Sequence, residues 1–241
     1  MSARPLRLSF GRVAETYHRI RPAYSQPLLD RAQQALELPP SACVLDLAAG
    51  TGRLTSELAR RFERVVAVDP DDDMRALIAD GEVLAGSAEA IPLGDRSVDA
   101  VFVGEAFHWF DAAAAISELA RVLRPRGGAA LISTHWWETD PPLPDAASEL
   151  LSGPYLRYGD QRNPPWDGAF AASPFEPLRV ERFEDEMLVD ADTLLELYST
   201  TSSLAATPHG ERAELLQQVR AHLGGPYRLP IKHELKWTRL A

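Results

Sequence analysis

The stretch VLDLAAGTGRLTSELARRFERVVAVDPDDDM, residues Val44–Met74, holds the pattern on which the fold turns. A short apolar run ends in a glycine loop, a longer segment follows, and a second apolar run closes on an acid, Asp69. Within the longer segment Leu54, Leu58 and Phe62 recur at four-residue intervals, which puts them on one face of a helix. The loop therefore joins the end of a strand to the start of a helix. Gly50 and Gly52 in that loop let the backbone turn sharply and let a ligand approach with no Cβ in the way.

The same rhythm continues outward. CVLDLA, RVVAVD, EVLAG, VDAVFVG and GGAALIST have the apolar, β-rich character of strands, while DDMRALIA and AAAAISELARVL have helical character. Near-continuous apolar strands separated by helices predict a parallel sheet covered on both faces. Right-handed crossovers then leave a doubly wound α/β sheet. Before the first strand, residues 10–36 look helical around LLDRAQQALEL. Residues 138–177, with PPLP and RNPPWDGAF, show little period, and such a stretch inside a compact domain is usually a lid or insertion. Downstream come a strand near RVERFEDEML, helices near ADTLLELYS and ERAELLQQVRAHL, and a final strand near LPIKHELKW. The expected organisation is one domain over 1–241. It comprises an N-terminal cap region (10–36), a cofactor-binding core (42–135), a lid or substrate insertion (138–177) and C-terminal strands and helices (178–241).

Composition narrows the function classes. The 241 residues are 45% hydrophobic, enough for a sizeable core. The formal charge is −10, with no basic stripe in the sequence, which argues against nucleic acid as a main partner. The one cysteine, Cys43, precedes an apolar strand; it reads as a buried thiol in a reducing compartment. No apolar stretch approaches the roughly 20 residues that span a bilayer. The expectation is a cytoplasmic protein without a membrane partner or a metal.

The glycine loop narrows the ligand. Asp69 ends the second strand, where its carboxylate could accept both hydroxyls of a ribose. A dinucleotide fingerprint needs three glycines spaced G-x-G-x-x-G, and here Thr55 takes the third place. Asp46, just ahead of the loop, would repel a pyrophosphate. It suits a ligand with positive charge, an ammonium or a sulfonium. S-adenosylmethionine carries both, together with a ribose and an adenine, and is the cofactor this loop predicts. The same features weigh against a nicotinamide-dependent oxidoreductase.

These residues form a family pattern. DLAAGTG (Asp46–Gly52), AVDP (Ala67–Pro70), GSAEAIPLGDRSVDAVFVGEAFHWF (Gly86–Phe110) and ELARVLRPRGG (Glu118–Gly128) resemble the motifs of class I S-adenosylmethionine-dependent methyltransferases, in the methyltransferase type 11 branch. FGRVAETYHRIRPAY (Phe10–Tyr24) is similar to members related to trans-aconitate methyltransferases. Ala48 stands where glycine is usual, and Ser87 where many members have aspartate. The resemblance implies a Rossmann-like, mostly parallel, seven-stranded sheet with an antiparallel C-terminal strand. It also implies methyl transfer to a small-molecule acceptor, with O-methylation of a carboxylate or hydroxyl favoured and S-adenosylhomocysteine as product. A non-catalytic S-adenosylmethionine-binding protein is the alternative.

Site roles follow from the same resemblance. Ala48, Gly50, Thr51 and Gly52 form the cofactor loop with Asp46, and Asp69 holds the ribose. Pro70 and Met74 pack on the adenine edge; Ser87 and Ala88 contact it through a hydroxyl and a backbone N–H. Glu89 either joins them or bonds the loop backbone. Glu105 and Ala106 lie where cofactor and acceptor meet. His108 is the candidate general base, with Glu105 as the second catalytic candidate, unless His108 simply bonds the sheet end. Tyr17 and Arg21 fold over the cofactor, Arg21 pairing with its carboxylate, or form surface contacts instead. His135, Trp136 and Trp137, with His108, line the acceptor side or pack under the lid. Arg157 and Arg162 either receive an anionic acceptor or remain solvated.

Overall fold

β-Branched and leucine residues concentrate in the segments read as strands, and strands form there. The computed structural model describes residues 10–136, 143–158 and 167–241. After a 3-10 turn at Phe10–Val13 come α1 (Ala14–Ile20) and α2 (Gln26–Ala35). The central series is β1 (Cys43–Leu47), α3 (Arg53–Ala59), β2 (Arg64–Asp69), α4 (Asp72–Arg75), β3 (Glu82–Ala85), β4 (Val98–Gly104), α5 (Ala112–Val122) and β5 (Leu123–His135). Then follow α6 (Asp145–Tyr158), α7 (Asp167–Ala171), β6 (Arg179–Val189), α8 (Ala191–Ser199), α9 (Ser202–Ala206), α10 (His209–Arg220) and β7 (Tyr227–Arg239).

The seven strands lie in the order β3-β2-β1-β4-β5-β7-β6. β1 pairs in parallel with β2 and with β4, β2 with β3, and β4 with β5. The C-terminal strand runs antiparallel to the other six. Strand order therefore reverses between β1 and β4, where Asp46 stands opposite Phe102. Ligands of doubly wound sheets bind beyond the carboxyl ends of the strands at such a reversal.

The chain packs as two compact units. The larger comprises Ala23–Thr134, Arg162–Phe183 and His233–Ala241. β1, β2 and β4 are buried on both faces, because alternate residues feed two separate cores, whereas the edge strand β3 is largely exposed. Leu45, Leu47, Val66, Val68, Val101 and Val103 pack with Ile116 and Leu119 of α5 and with Phe170 of α7. Val44, Val65, Ala100 and Phe102 pack with Leu28 and Leu29 of α2 and Leu54 and Leu58 of α3. The smaller unit comprises Met1–Pro22, His135–Gln161 and Glu184–Lys232. Its core joins Ile20, Trp136, Ala147, Leu194, Leu197, Val219 and Ile231.

Some elements differ from their sequence expectation. DDMRALIA forms only the single turn α4; the Leu77 and Ile78 N–H groups bond back three residues to Met74 and Arg75, which tightens and ends the helix. GGAALIST extends back to Leu123, and the register with β4 shifts between Val98 and Ala100. The patternless stretch 138–177 contains α6 and α7. Among the described residues no helix is long and apolar enough to cross a membrane.

Candidate functional site

The carboxyl ends of β1, β2 and β4 carry the candidate site in the larger unit. The turn after β1 is left-handed at three alternate residues: Ala48 at φ 59°, Gly50 at 57° and Gly52 at 79°. Glycine adopts this region freely, whereas alanine pays for its Cβ. Ala48 thus occupies a conformation that explains why glycine is usual at its position. The turn is fastened to β2 at two points. The Ala49 N–H donates to the Val68 carbonyl at 3.0 Å, and the Gly50 N–H to Asp69 Oδ2 at 2.8 Å. The other Asp69 oxygen accepts the Asp71 N–H at 2.9 Å.

Both acids of the motif are buried: Asp46 is 1% exposed and Asp69 7%. Asp46 Oδ2 accepts the Thr55 hydroxyl at 2.6 Å, while Oδ1 is buried without a hydrogen-bond partner. Burial pushes the Asp46 carboxyl up to about 7; the Thr55 bond opposes this and the nearby Asp69 adds to it. Burial also raises Asp69, against the two backbone N–H groups that stabilise its charge. A buried carboxylate oxygen without a donor costs stability unless a ligand supplies one. The Asp46 oxygen fits a cofactor that brings an N–H or a positive charge. Thr55 was not singled out from the sequence; its hydroxyl sits one helix turn beyond the glycines and aims at Asp46.

The other residues named from the sequence are distributed over the following elements. Met74 is buried on α4, its Cε 3.3 Å from where a Cβ on Gly50 would lie, and Pro70 beside it is exposed. Thr51 is buried. The loop after β3 carries Ser87, half-buried and bridged to Ala90, then Ala88, whose side chain packs in the core. Glu89 is exposed and accepts the N–H of Asp111, at the start of α5, at 3.1 Å.

Beyond β4, Glu105 has a left-handed backbone, φ 59°, and donates its N–H to the Ile132 carbonyl at 2.8 Å. Such strain in a non-glycine residue persists only where its surroundings enforce it, commonly at functional sites. Ala106 packs on the core, and His108 lies half-buried in the 3-10 turn Phe107–Trp109, its ring 4.8 Å from that of Trp109. Tyr24 was not expected here. Its hydroxyl lies 2.3 Å from where a Cβ on Gly104 would be, so it occupies the space over the last residue of β4.

Tyr17, Arg21, His135 and Trp136 belong to the smaller unit. Arg21 donates to the Thr200 hydroxyl at 2.9 Å and to its carbonyl at 2.7 Å, with its guanidinium over the rings of Tyr17 and Trp136. Trp136 is 1% exposed and edge-on to Tyr198, so its ring is a core element. Burial pushes the Tyr198 hydroxyl up to about 12. Arg157 pairs with Glu211. Trp137 and Arg162 lie outside the described residues. Among the described residues no group of three His, Cys, Asp or Glu is placed to hold a metal ion.

Comparison with known proteins follows the same lines. A family model described as a methyltransferase domain matches residues 45–131. An uncharacterized methyltransferase of Mycobacterium tuberculosis is 38% identical over 224 residues, 91% of this chain and 87% of that one. A malonyl-[acyl-carrier protein] O-methyltransferase of Methylococcus capsulatus is 42% identical over 99 residues, 37% of this chain and 36% of that one. A solved structure from Anaeromyxobacter dehalogenans, assigned as a type II methyltransferase, has a TM-score of 0.61 at 25% identity. That match covers 91% of this chain and 97% of the other.

Proposed function

From a chain that belongs to the class I S-adenosylmethionine-dependent methyltransferases, we infer methyl transfer to the oxygen of a small molecule, a carboxylate or a hydroxyl. The protein is a methyltransferase, and its cofactor is S-adenosylmethionine. The observation that carries the reading is the Asp46 carboxyl, buried beside the glycine turn at the strand reversal with one oxygen unpaired. A net charge of −10 supports a small-molecule acceptor over nucleic acid, and the O-methyltransferase relative supports an oxygen nucleophile. The buried, unpaired Cys43 thiol supports a cytoplasmic setting.

When bound, S-adenosylmethionine supplies a methyl carbon activated by its sulfonium. The chain's own part is to hold and orient. Asp46 Oδ1 accepts from the cationic end of the ligand. The Asp69 oxygens, each with a lone pair left after the backbone bonds, accept from the ribose hydroxyls. Ser87 and Ala88 meet the adenine through a hydroxyl and an N–H, with Pro70 and Met74 beside it. Ala48, Thr51 and Gly52 shape the turn, while Glu105 and Ala106 close its far side. Positioning of this kind supplies roughly 7–11 kcal/mol of a barrier. A carboxylate acceptor already has its nucleophilic electrons, whereas a hydroxyl needs a base, for which His108 is placed after β4.

Calorimetric titration with S-adenosylmethionine and S-adenosylhomocysteine tests the reading. Wild type binds both, and Asp69→Ala loses them; a folded wild type that binds neither overturns it. Turnover on carboxylate, hydroxyl and amine acceptors then identifies the nucleophile. His108→Ala is expected to lower turnover about 10²–10⁴-fold on a hydroxyl and to leave a carboxylate reaction unaffected.

A further inference from the structure

The loop after β3 has little structure of its own to keep Ser87 and Ala88 in place. Its own backbone bonds are the bridge of Ser87 to Ala90, with the Ala90 N–H donating to the Ser87 carbonyl at 3.2 Å, a tight turn from the Leu93 N–H to the Ile91 carbonyl at 2.8 Å, and a long bond of 3.4 Å from the Gly86 N–H to the Asp69 carbonyl. Its order comes from α5. Glu118 Oε2 accepts the Ile91 N–H at 2.8 Å. Arg121 donates to the carbonyls of Ile91 at 2.9 Å and Leu93 at 2.7 Å. The same guanidinium grips both oxygens of Glu118 at 2.7 Å and reaches Asp95 Oδ1 at 3.1 Å. These five bonds use all five N–H donors of the arginine, so no other side chain can reproduce them. Arg121 in turn holds the Glu118 carboxyl below its ordinary range, keeping it an acceptor. At the other end of α5, Glu89 accepts the N–H of Asp111.

We propose that Glu118 and Arg121 are positioning residues for nucleobase recognition: they pin residues 91–95 to α5, so that Ser87 and Ala88 stand ready for the adenine. Neither touches the ligand. The proposal rests on the reading of this loop as the adenine site. A loop fixed in advance carries less ordering entropy to lose when the ligand arrives, and affinity rises accordingly. The consequence is confined to the base. Loosening the clamp weakens selection for adenine while the ribose and the methionine end, held through Asp69 and Asp46, keep their partners.

The test compares S-adenosylhomocysteine with S-inosylhomocysteine, in which a carbonyl replaces the exocyclic amine, by calorimetry on wild type, Arg121→Met and Arg121→Lys. In wild type the adenine form binds more tightly. Arg121→Met is expected to bind it about tenfold more weakly, the equivalent of roughly 1.4 kcal/mol, and to bind the inosine form as before. Its KM for S-adenosylmethionine rises while kcat at saturation holds. Arg121→Lys, which keeps the charge but cannot reach both carbonyls, falls between. Should Arg121→Met fail to fold, Glu118→Gln carries the same comparison. A folded variant with the wild-type preference overturns the clamp alone. A wild type that binds both ligands equally, or neither, overturns the adenine reading and the clamp with it.

Discussion

A carboxyl group whose folded pKa lies near 7 takes up a proton on folding when the pH lies between its unfolded and its folded pKa, and Asp46 is such a group. Its unfolded pKa is about 3.9, so between roughly pH 4 and 7 the native state holds more protons than the unfolded one. Stability from this residue is therefore full below about pH 4, declines as the pH rises through 7, and is flat beyond. Asp46→Asn should be more stable than wild type at pH 8, by a margin that shrinks toward pH 5 in urea titrations. A cationic ligand reverses the preference, because it favours the ionised form. Affinity for S-adenosylmethionine should fall as the pH drops below about 7, by at most tenfold per pH unit, and this dependence should vanish in Asp46→Asn. Ala48 offers a cleaner energetic test. Its left-handed backbone costs roughly 1–2 kcal/mol, so Ala48→Gly should raise the urea midpoint by the equivalent of about 1 kcal/mol with an unchanged slope. The places of Asp46, the glycines and Asp69 at neighbouring strand ends were legible because the apolar runs of β1 and β2 mark where each strand stops. The second duty of Asp69, holding the turn through the Gly50 N–H, was not, because it depends on how β1 and β2 align.

Elements were legible where a period of two or of 3.6 was intact. α5 shows this: its apolar residues Ala115, Ile116, Leu119 and Val122 face the core, and Asp111 caps its start by accepting the Ala114 N–H. Asp111→Ala should cost about 1 kcal/mol in urea denaturation by loss of that cap. It should leave the Glu89 contact intact, since that uses the backbone N–H of residue 111. α6 was not legible, because Gly153 and Pro154 interrupt it: proline removes a donor within the helix and glycine lowers its propensity. α4 was over-read, since DDMRALIA has helical spacing throughout. The capping side chain of Asp71 starts the turn, and the three-residue bonds at Leu77 and Ile78 stop it.

At the scale of the whole molecule, the doubly wound sheet followed from strands apolar on both faces, which leaves helices no choice but to cover both. The division into two compact units was hidden because its cause is not local. Ile20, Trp136, Ala147 and Leu197 meet in one core from four separate parts of the chain. A ligand that binds only the folded chain stabilises all that unfolds cooperatively with its site. S-adenosylhomocysteine at a hundredfold excess over Kd should add about 2.7 kcal/mol, a rise in Tm of roughly 5–10 °C for a chain of this size. Calorimetric scanning checks this, and two resolved transitions with only one shifted would show that the units melt separately.

The contact between Tyr24 and Gly104 bears on how sequence variation in this protein will be interpreted. A Cβ at position 104 would lie 2.3 Å from the Tyr24 hydroxyl, 3.0 Å from its ring carbon and 3.1 Å from Leu54 Cδ2, so a saturation library there should retain activity only to the extent that the end of the Tyr24 side chain moves aside. Scored alone, that intolerance would mimic a residue engaged in chemistry. Positions 24 and 104 share one space instead: a larger residue at 104 should fare best where the residue at 24 is smaller, and the two sites should tend to change together along lineages.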